Sequence, residues 1–285
     1  MPGRAALLAV LMLGTACTQS DSAPAEQTAV VATQPAGQVG RGELLFSDEF
    51  DGVALDRSKW VTCYWWNRGG CTNLGNHELQ WYLPANVTVA NGQLRLRAQR
   101  EKVRGLNNTL YNYTSGLIST GRDVADVARS TKFEFRYGYA EMRALLPSGR
   151  GLWPTFWMLP TNHSSKPEID IMEVLGQRPD TLYLTLHYRD AQGADRKQGR
   201  AIETSDLSTG WHVYGVDWQP DHIVWYLDGV ERSRYEDVEH IPHEPMYVLV
   251  NLAVGGDWPG APDSSTVLPA DLLVDYVRIW RAPDR

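Results

Sequence analysis

Three features of the sequence predict an all-β sandwich. From about Leu44 onward, apolar residues recur with a period of two rather than 3.6. Turn signals break up these runs, among them Pro220-Asp221 and Asp228-Gly229. No stretch combines a capped start with an amphipathic helical stripe, and no internal repeat is visible. Many short strands between turns make a sandwich that reaches this size as one domain.

The elements follow in order along the 285 residues. Residues 1–16 read as a signal peptide, with Arg4 as a thin basic start and Ala5 to Leu13 as the apolar stretch. That stretch is too short to span a bilayer. Leu13-Gly14-Thr15-Ala16-Cys17 resembles a lipobox, which makes Cys17 the expected lipidation site. The aliphatic residue stands one place early, so cleavage after Ala16 or Ala23 into a soluble secreted form is the alternative. Residues 17–42 carry Ala, Gln, Thr, Ser, Pro and Gly without an aromatic ring, the composition of a tether. The folded part is expected over 43–285.

Within it, Leu94, Leu96 and Ala98 alternate with Arg95 and Arg97. Leu182, Leu184 and Leu186 alternate with Tyr183, Thr185 and His187, which sets an apolar face against a polar, aromatic one. Such a strand has one face open to a ligand. Val213 to Trp218, Ile223 to Leu227, Met246 to Val254 and Leu272 to Trp280 read as further strands. With Cys17 set aside, export leaves Cys63 and Cys71 to pair, closing a short loop that holds Tyr64, Trp65 and Trp66.

Composition excludes some functions. The 27 Lys+Arg against 34 Asp+Glu give −7, which argues against a nucleic-acid partner and fits a neutral or cationic substrate. The membrane is expected to be met only through the lipid anchor. The 11 Trp and 13 Tyr against 5 Phe are rings with a flat apolar face and a polar edge, suited to sugars or to a core.

The most informative segment is Lys166-Pro167-Glu168-Ile169-Asp170-Ile171-Met172-Glu173-Val174. Glu168 and Asp170 are two apart and share one face of a strand. Glu173 falls on the wrong face unless a β-bulge at Met172 or its neighbour adds a residue. With that bulge all three acids point one way, while Ile169, Ile171 and Val174 face the core. Aligned carboxyls repel and raise at least one pKa, a cost borne mainly for metal binding or acid–base chemistry. A solvated acidic strand face is the plain alternative.

Glu168-Ile169-Asp170-Ile171-Met172-Glu173 resembles the E-x-D-x-x-E signature of glycoside hydrolase family 16, in the bulged form of its laminarinase-like branch. Tyr137 to Arg143, Gly151 to Leu159, Asn76 to Tyr82, Trp211 to Tyr214, Asn251 to Gly256 and Asp275 to Trp280 resemble further family segments, in family order. The resemblance implies a β-jelly-roll of two curved antiparallel sheets with a concave glycan cleft. It implies Glu168 as nucleophile, Glu173 as general acid/base and Asp170 as their assistant, in a retaining mechanism. By position, Trp153, Trp157 and Trp258 resemble cleft-lining stacking residues. Asn76, Arg143 and His187 stand where hydroxyl or acid-tuning contacts are expected, with packing as the alternative. No cofactor is implied for catalysis. A structural calcium ion is implied at Glu49, the Gly92 carbonyl and Asp275.

The resulting expectation is an exported, monomeric endo-β-glycanase acting on β-1,3- or mixed β-1,3/1,4-glucan, held at the cell envelope or secreted. A galactan hydrolase or transglycosylase, and a silent carbohydrate-binding or structural lipoprotein, are the competing readings. The aromatic Cys63–Cys71 loop and the patch Asn107, Asn108, Tyr111, Asn112 and Tyr113 depart from the family pattern, and are expected to reshape the cleft.

Overall fold

A computed structural model describes residues 1, 3, 42–66, 70–123, 131–162 and 164–282. The expected cleavage site, Cys17 and the tether as far as residue 41 lie outside the described residues. In chain order the described strands are β1 (Leu44–Asp48), β2 (Gln80–Tyr82), β3 (Val87–Ala90), β4 (Gln93–Arg104), β5 (Leu110–Ser115), β6 (Leu117–Ser119), β7 (Gly138–Leu145) and β8 (Leu152–Pro160). They continue as β9 (Glu168–Glu173), β10 (Thr181–Arg189), β11 (Asp195–Glu203), β12 (His212–Trp218), β13 (Ile223–Leu227), β14 (Val230–Tyr235), β15 (Met246–Val254) and β16 (Ala270–Arg281). The helical elements described are two single 3₁₀ turns, at Leu74–Asn76 and Pro84–Asn86.

The strands form two sheets. One runs β14-β13-β12-β7-β16-β4-β5-β2, with β1 added to β16 and β3 to β4. The other runs β11-β10-β9-β8-β15-β6. Described pairings are antiparallel except β2 with β5, which is parallel. That exception is possible because the intervening chain passes through β3 and β4 before returning.

The alternation read from the sequence decides which side chains meet between the sheets. Leu94, Leu96 and Ala98 of β4, Ala140, Met142 and Ala144 of β7, and Val277 and Ile279 of β16 enter the core from the larger sheet. Phe156 and Met158 of β8, Ile169 and Ile171 of β9, and Leu182, Leu184 and Leu186 of β10 meet them from the smaller one. Burying each of the Leu, Ile, Val, Met and Phe side chains among them contributes about 1.5–3 kcal/mol. The same parity turns Tyr183, Thr185 and His187 to the outer face of the smaller sheet, where the site lies.

Candidate active site

The outer face of the smaller sheet floors a cleft of about 1200 Å³. From β8 come Trp153, Thr155, Trp157 and Leu159; from β9 come Glu168, Asp170 and Glu173. From β10 come Tyr183, Thr185, His187 and Arg189, each one position removed from a core leucine or a flanking residue. The edge strand β11 closes one side, and the loop before β2 together with the Cys63–Cys71 loop closes the other.

The three acids share this face because β9 carries one extra residue. Against β8, Asp170 pairs with Trp157 and Met172 with Phe156, so Ile171 has no partner of its own. Against β10, Asp170 pairs with Thr185 and Glu173 with Tyr183, three steps against two. The slip therefore falls at Ile171, the neighbour of Met172. Both side chains enter the core, with no exposure, and Glu173 returns to the cleft. A bulge interrupts the ladder and leaves backbone groups to be satisfied elsewhere. Here the indole Nε1 of Trp225, on β13 of the opposite sheet, donates to the Asp170 carbonyl at 2.9 Å.

The acids are differently placed. Asp170 is 3% exposed, and His187 Nε2 lies 3.1 Å from its Oδ2. The same nitrogen is 3.7 Å from Glu168 Oε1, and Lys166 Nζ is 3.5 Å from Glu168 Oε2. Burial raises the Glu168 carboxyl to about 7, assisted by the charge of Asp170 and opposed by Lys166 and His187. Glu173 is pushed well above the carboxylate range, first by burial, then by Asp170 and Glu168, against partial relief from the Trp153 indole. Lys197 relieves Glu173 only as the last and smallest of these causes, so Glu173 is the carboxyl that holds its proton.

A buried polar network backs the aromatic floor. Trp157 Nε1 donates to Asn251 Oδ1 at 2.8 Å, and Asn251 Nδ2 donates to the Tyr82 hydroxyl at 3.1 Å. Glu78, in the same wall, accepts from Gln80 Nε2 at 2.6 Å and from Asn76 Nδ2 at 3.2 Å. Its carboxyl is nevertheless raised to about 7, because burial outweighs these donors. Gly256, at φ 122°, permits this loop to close: a Cβ there would stand 2.8 Å from the Asn76 carbonyl oxygen.

Most of the residues singled out in the sequence come together here: Glu168, Asp170, Glu173, Asn76, Trp153, Trp157, His187 and Trp258 all line the cleft. Trp258, 42% exposed, stands edge-on to Trp153 at 5.4 Å and to Tyr183 at 4.7 Å. The Cys63–Cys71 disulfide is present, and its loop brings Tyr64 and Trp66 to the cleft. Arg143 does not join them. Ala140, Met142 and Ala144 take the core face of β7, so strand parity turns Arg143 to the outer face of the larger sheet. There Arg143 Nη1 donates to Asp275 Oδ2 at 2.7 Å and the guanidinium covers the Trp211 ring.

The expected calcium ligands are not arranged for an ion either. Glu49 is held by Arg278 through two hydrogen bonds, at 2.6 and 2.9 Å, and Asp275 by Arg143. The turn at Gly92 faces Asp51. Carboxylates already neutralised by guanidinium groups do not fit a divalent cation. The patch Asn107–Tyr113 also lies outside the cleft lining: Asn107 Nδ2 bonds the Tyr111 hydroxyl, and Tyr111 packs on Trp81.

Sequence reasoning missed Glu78, Lys166, Tyr183 and Lys197 as cleft residues. Glu78 sits inside the quoted segment Asn76 to Tyr82, and Tyr183 on the polar face already marked on β10. Lys197 needed the β10–β11 register, which pairs it with His187.

The comparisons agree with this geometry. The family model described as glycosyl hydrolases family 16 matches residues 78–270. An endo-1,3-1,4-beta-glycanase, EglC, of Rhizobium meliloti is 37% identical over 250 residues, 82% of this chain and 51% of its own length. A beta-glucanase of Rhodothermus marinus is 36% identical over 265 residues, 84% of this chain and 85% of its own. The chain thus spans about half the length of the rhizobial relative. The solved laminarinase catalytic domain of Thermotoga maritima superposes with a TM-score of 0.75 at 32% identity, covering 86% of this chain and all of that one.

Proposed function

The chain belongs to family 16 of the glycosyl hydrolases, and we propose that it is a retaining endo-β-glucanase acting on internal β-1,3 bonds of β-1,3- or mixed β-1,3/1,4-glucan. The observation that carries this reading is the bulged strand: two glutamates flank an aspartate on one face, Lys166 and His187 stand within 4 Å of Glu168, and no ion pair is formed by Glu173 among the described residues. A double displacement needs that asymmetry.

In the first step Glu168, whose charged form is favoured by Lys166 and His187 against burial, attacks the anomeric carbon as the carboxylate. The glycosidic oxygen leaves with the proton of Glu173. The product is a glycosyl ester on Glu168. Glu173, now a carboxylate, takes a proton from water, whose oxygen attacks the same carbon and releases Glu168. Two inversions retain the configuration. Asp170 stands between the two and raises the proton affinity of both. Trp153, Trp157, Tyr183 and Trp258 offer ring faces and edges to the sugars.

Export is part of the proposal. It is supported by the apolar segment Ala5 to Leu13, by Cys17 as an anchor, and by a disulfide suited to an oxidising compartment. Membrane fractionation of wild type against Cys17→Ser tests the anchor: release of the variant supports it, and unchanged partition refutes it.

Reducing-end release from laminarin, mixed-linkage glucan, agarose and carrageenan tests the activity. Laminarin is expected to be cut, with Glu168→Gln lower by on the order of 10³-fold or more. NMR of the new reducing end is expected to show the β-anomer first. Cleavage of agarose or carrageenan alone moves the substrate to a galactan, and an α-anomer first overturns the retaining mechanism.

A further inference from the structure

Aromatic side chains gather at two places along the cleft. Trp153, Tyr183 and Trp258 meet beside Glu173, whose partner on β10 is Tyr183. A second row starts at Trp157, whose partner on β9 is Asp170. Tyr64 stands edge-on to Trp157 at 6.3 Å, and Trp66 lies against Tyr64 at 4.6 Å with the ring planes 33° apart. Tyr64 is buried and Trp66 only partly so, and both line the cleft. Trp66 is thus the outer ring of this row, and the double displacement makes no use of it.

The chain around Trp66 is fastened on several sides. Val61 exchanges backbone hydrogen bonds with Ser119 of β6, at 2.8 and 2.9 Å. The Cys63–Cys71 bridge closes the loop, and the Cys71 carbonyl accepts from the Tyr82 amide of β2 at 2.7 Å. Trp81 of β2 packs against Gly70, where φ is 90° and a Cβ would stand 3.1 Å from the indole. The same indole meets Gly105, in the turn between β4 and β5, and lies 5.2 Å from the Tyr111 ring. That turn, although outside the cleft lining, therefore buttresses the loop through Trp81. Ordering a free loop at each binding event costs affinity, and a loop already fixed avoids that loss.

We propose that Trp66 is a sugar-stacking subsite at the outer end of this row, held ready by the Cys63–Cys71 bridge, and that it makes the enzyme select long β-glucan chains over short oligosaccharides. This inference rests on the glucanase reading above. A glucosyl unit has apolar C–H faces and polar edges, and an indole is a flat apolar surface of matching size. With one face on Tyr64, Trp66 presents what remains of its surface to the cleft. Tyr64 separates it from Trp157, so only a chain that runs on past the acids reaches it. A ring contact of this kind contributes about two- to tenfold in affinity.

The test uses the full chain and divides kcat/KM on laminariheptaose by kcat/KM on the shortest laminari-oligosaccharide that is cut. Trp66→Ala is expected to lower this quotient by about fivefold, chiefly through KM on the heptaose. Trp66→Phe keeps a ring and is expected to lower it by less than about twofold. Cys63→Ser/Cys71→Ser releases the loop and is expected to lower it in the same direction as Trp66→Ala, and the thermal midpoint of each variant reports that it is folded. A purely structural role for Trp66 reduces both rates together and leaves the quotient in place. That result in Trp66→Ala overturns the subsite while leaving the glucanase reading intact, and an unchanged quotient in the cysteine variant overturns the part given to the bridge. If the wild type cuts neither laminarin nor its oligosaccharides, the glucanase reading itself fails and the subsite with it.

Discussion

Glu168 and Glu173 are the same residue type on the same strand, and their neighbours make them different acids. Lys166 and His187 approach Glu168, at 3.5 and 3.7 Å, whereas Glu173 is buried and feels two anions, against lesser relief from the Trp153 indole and Lys197. The pH profile of kcat/KM reports these groups in the free enzyme. Activity is expected to rise as Glu168 loses its proton, near pH 7, and to fall at higher pH as Glu173 loses its own. Lys166→Met removes a cation that favours the charged form of Glu168. Its acidic limb is expected to move to higher pH by about 1 unit, the lower end of what an opposite charge at this range does. A limb that stays in place sinks this assignment of the ion pair. At this scale the acids were legible in the sequence because their spacing is itself the signal. Lys166 sat in the same segment, but its effect depends on a 3.5 Å approach that spacing does not encode. Arg143 was misplaced for the converse reason: it stands in a family-like segment, and only the core face taken by Ala140 and Met142 shows that it points away from the cleft.

The element that makes the site is the bulge in β9. One inserted residue, Ile171, changes which face Glu173 occupies, and Trp225 from the opposite sheet satisfies the carbonyl at the slip. Trp225→Phe keeps most of the ring and removes the donor. A buried carbonyl left unpaired costs about 1–3 kcal/mol, and denaturant unfolding is expected to show a loss of that size. If the indole also sets the bulge geometry, kcat on laminarin falls by about tenfold with KM nearly unchanged, since misplacement of the acids acts on the transition state. A loss of stability with kcat unchanged would show the bulge to be held by β8 and β10 alone. The alternation along β4, β10 and β16 and the need for a bulge were legible, because a period of two is a local property of the chain. Sheet order was not, since β16 lies between β4 and β7 through contacts far apart in sequence. Nor was the parallel pairing of β2 with β5.

At the scale of the molecule, the two sheets are joined beside the cleft by a polar bridge as well as by the apolar core. Gln80, on β2 of the larger sheet, accepts from the Val254 amide on β15 of the smaller one and donates to Glu78. Tyr82 of β2 is reached by Asn251 of β15 and lies 3.5 Å from Glu78. Glu78 is therefore a titratable group set into the junction of the sheets, and its protonation is linked to global stability. Its folded pKa of about 7 lies above the ordinary glutamate value, so the folded state binds its proton more tightly than the unfolded chain does. The stabilisation from that proton is complete below about pH 4.5 and is lost as pH rises through 7, to the extent of on the order of 3 kcal/mol. Glu78→Gln carries no proton to lose. The difference in unfolding free energy, variant minus wild type, is expected to increase from pH 5 to pH 8, with most of the change on the approach to pH 7. Glu168 and Glu173 titrate in both proteins and cancel in that difference. A difference that does not vary with pH means that the donors from Gln80 and Asn76 outweigh burial, and that Glu78 spans the sheets as a carboxylate.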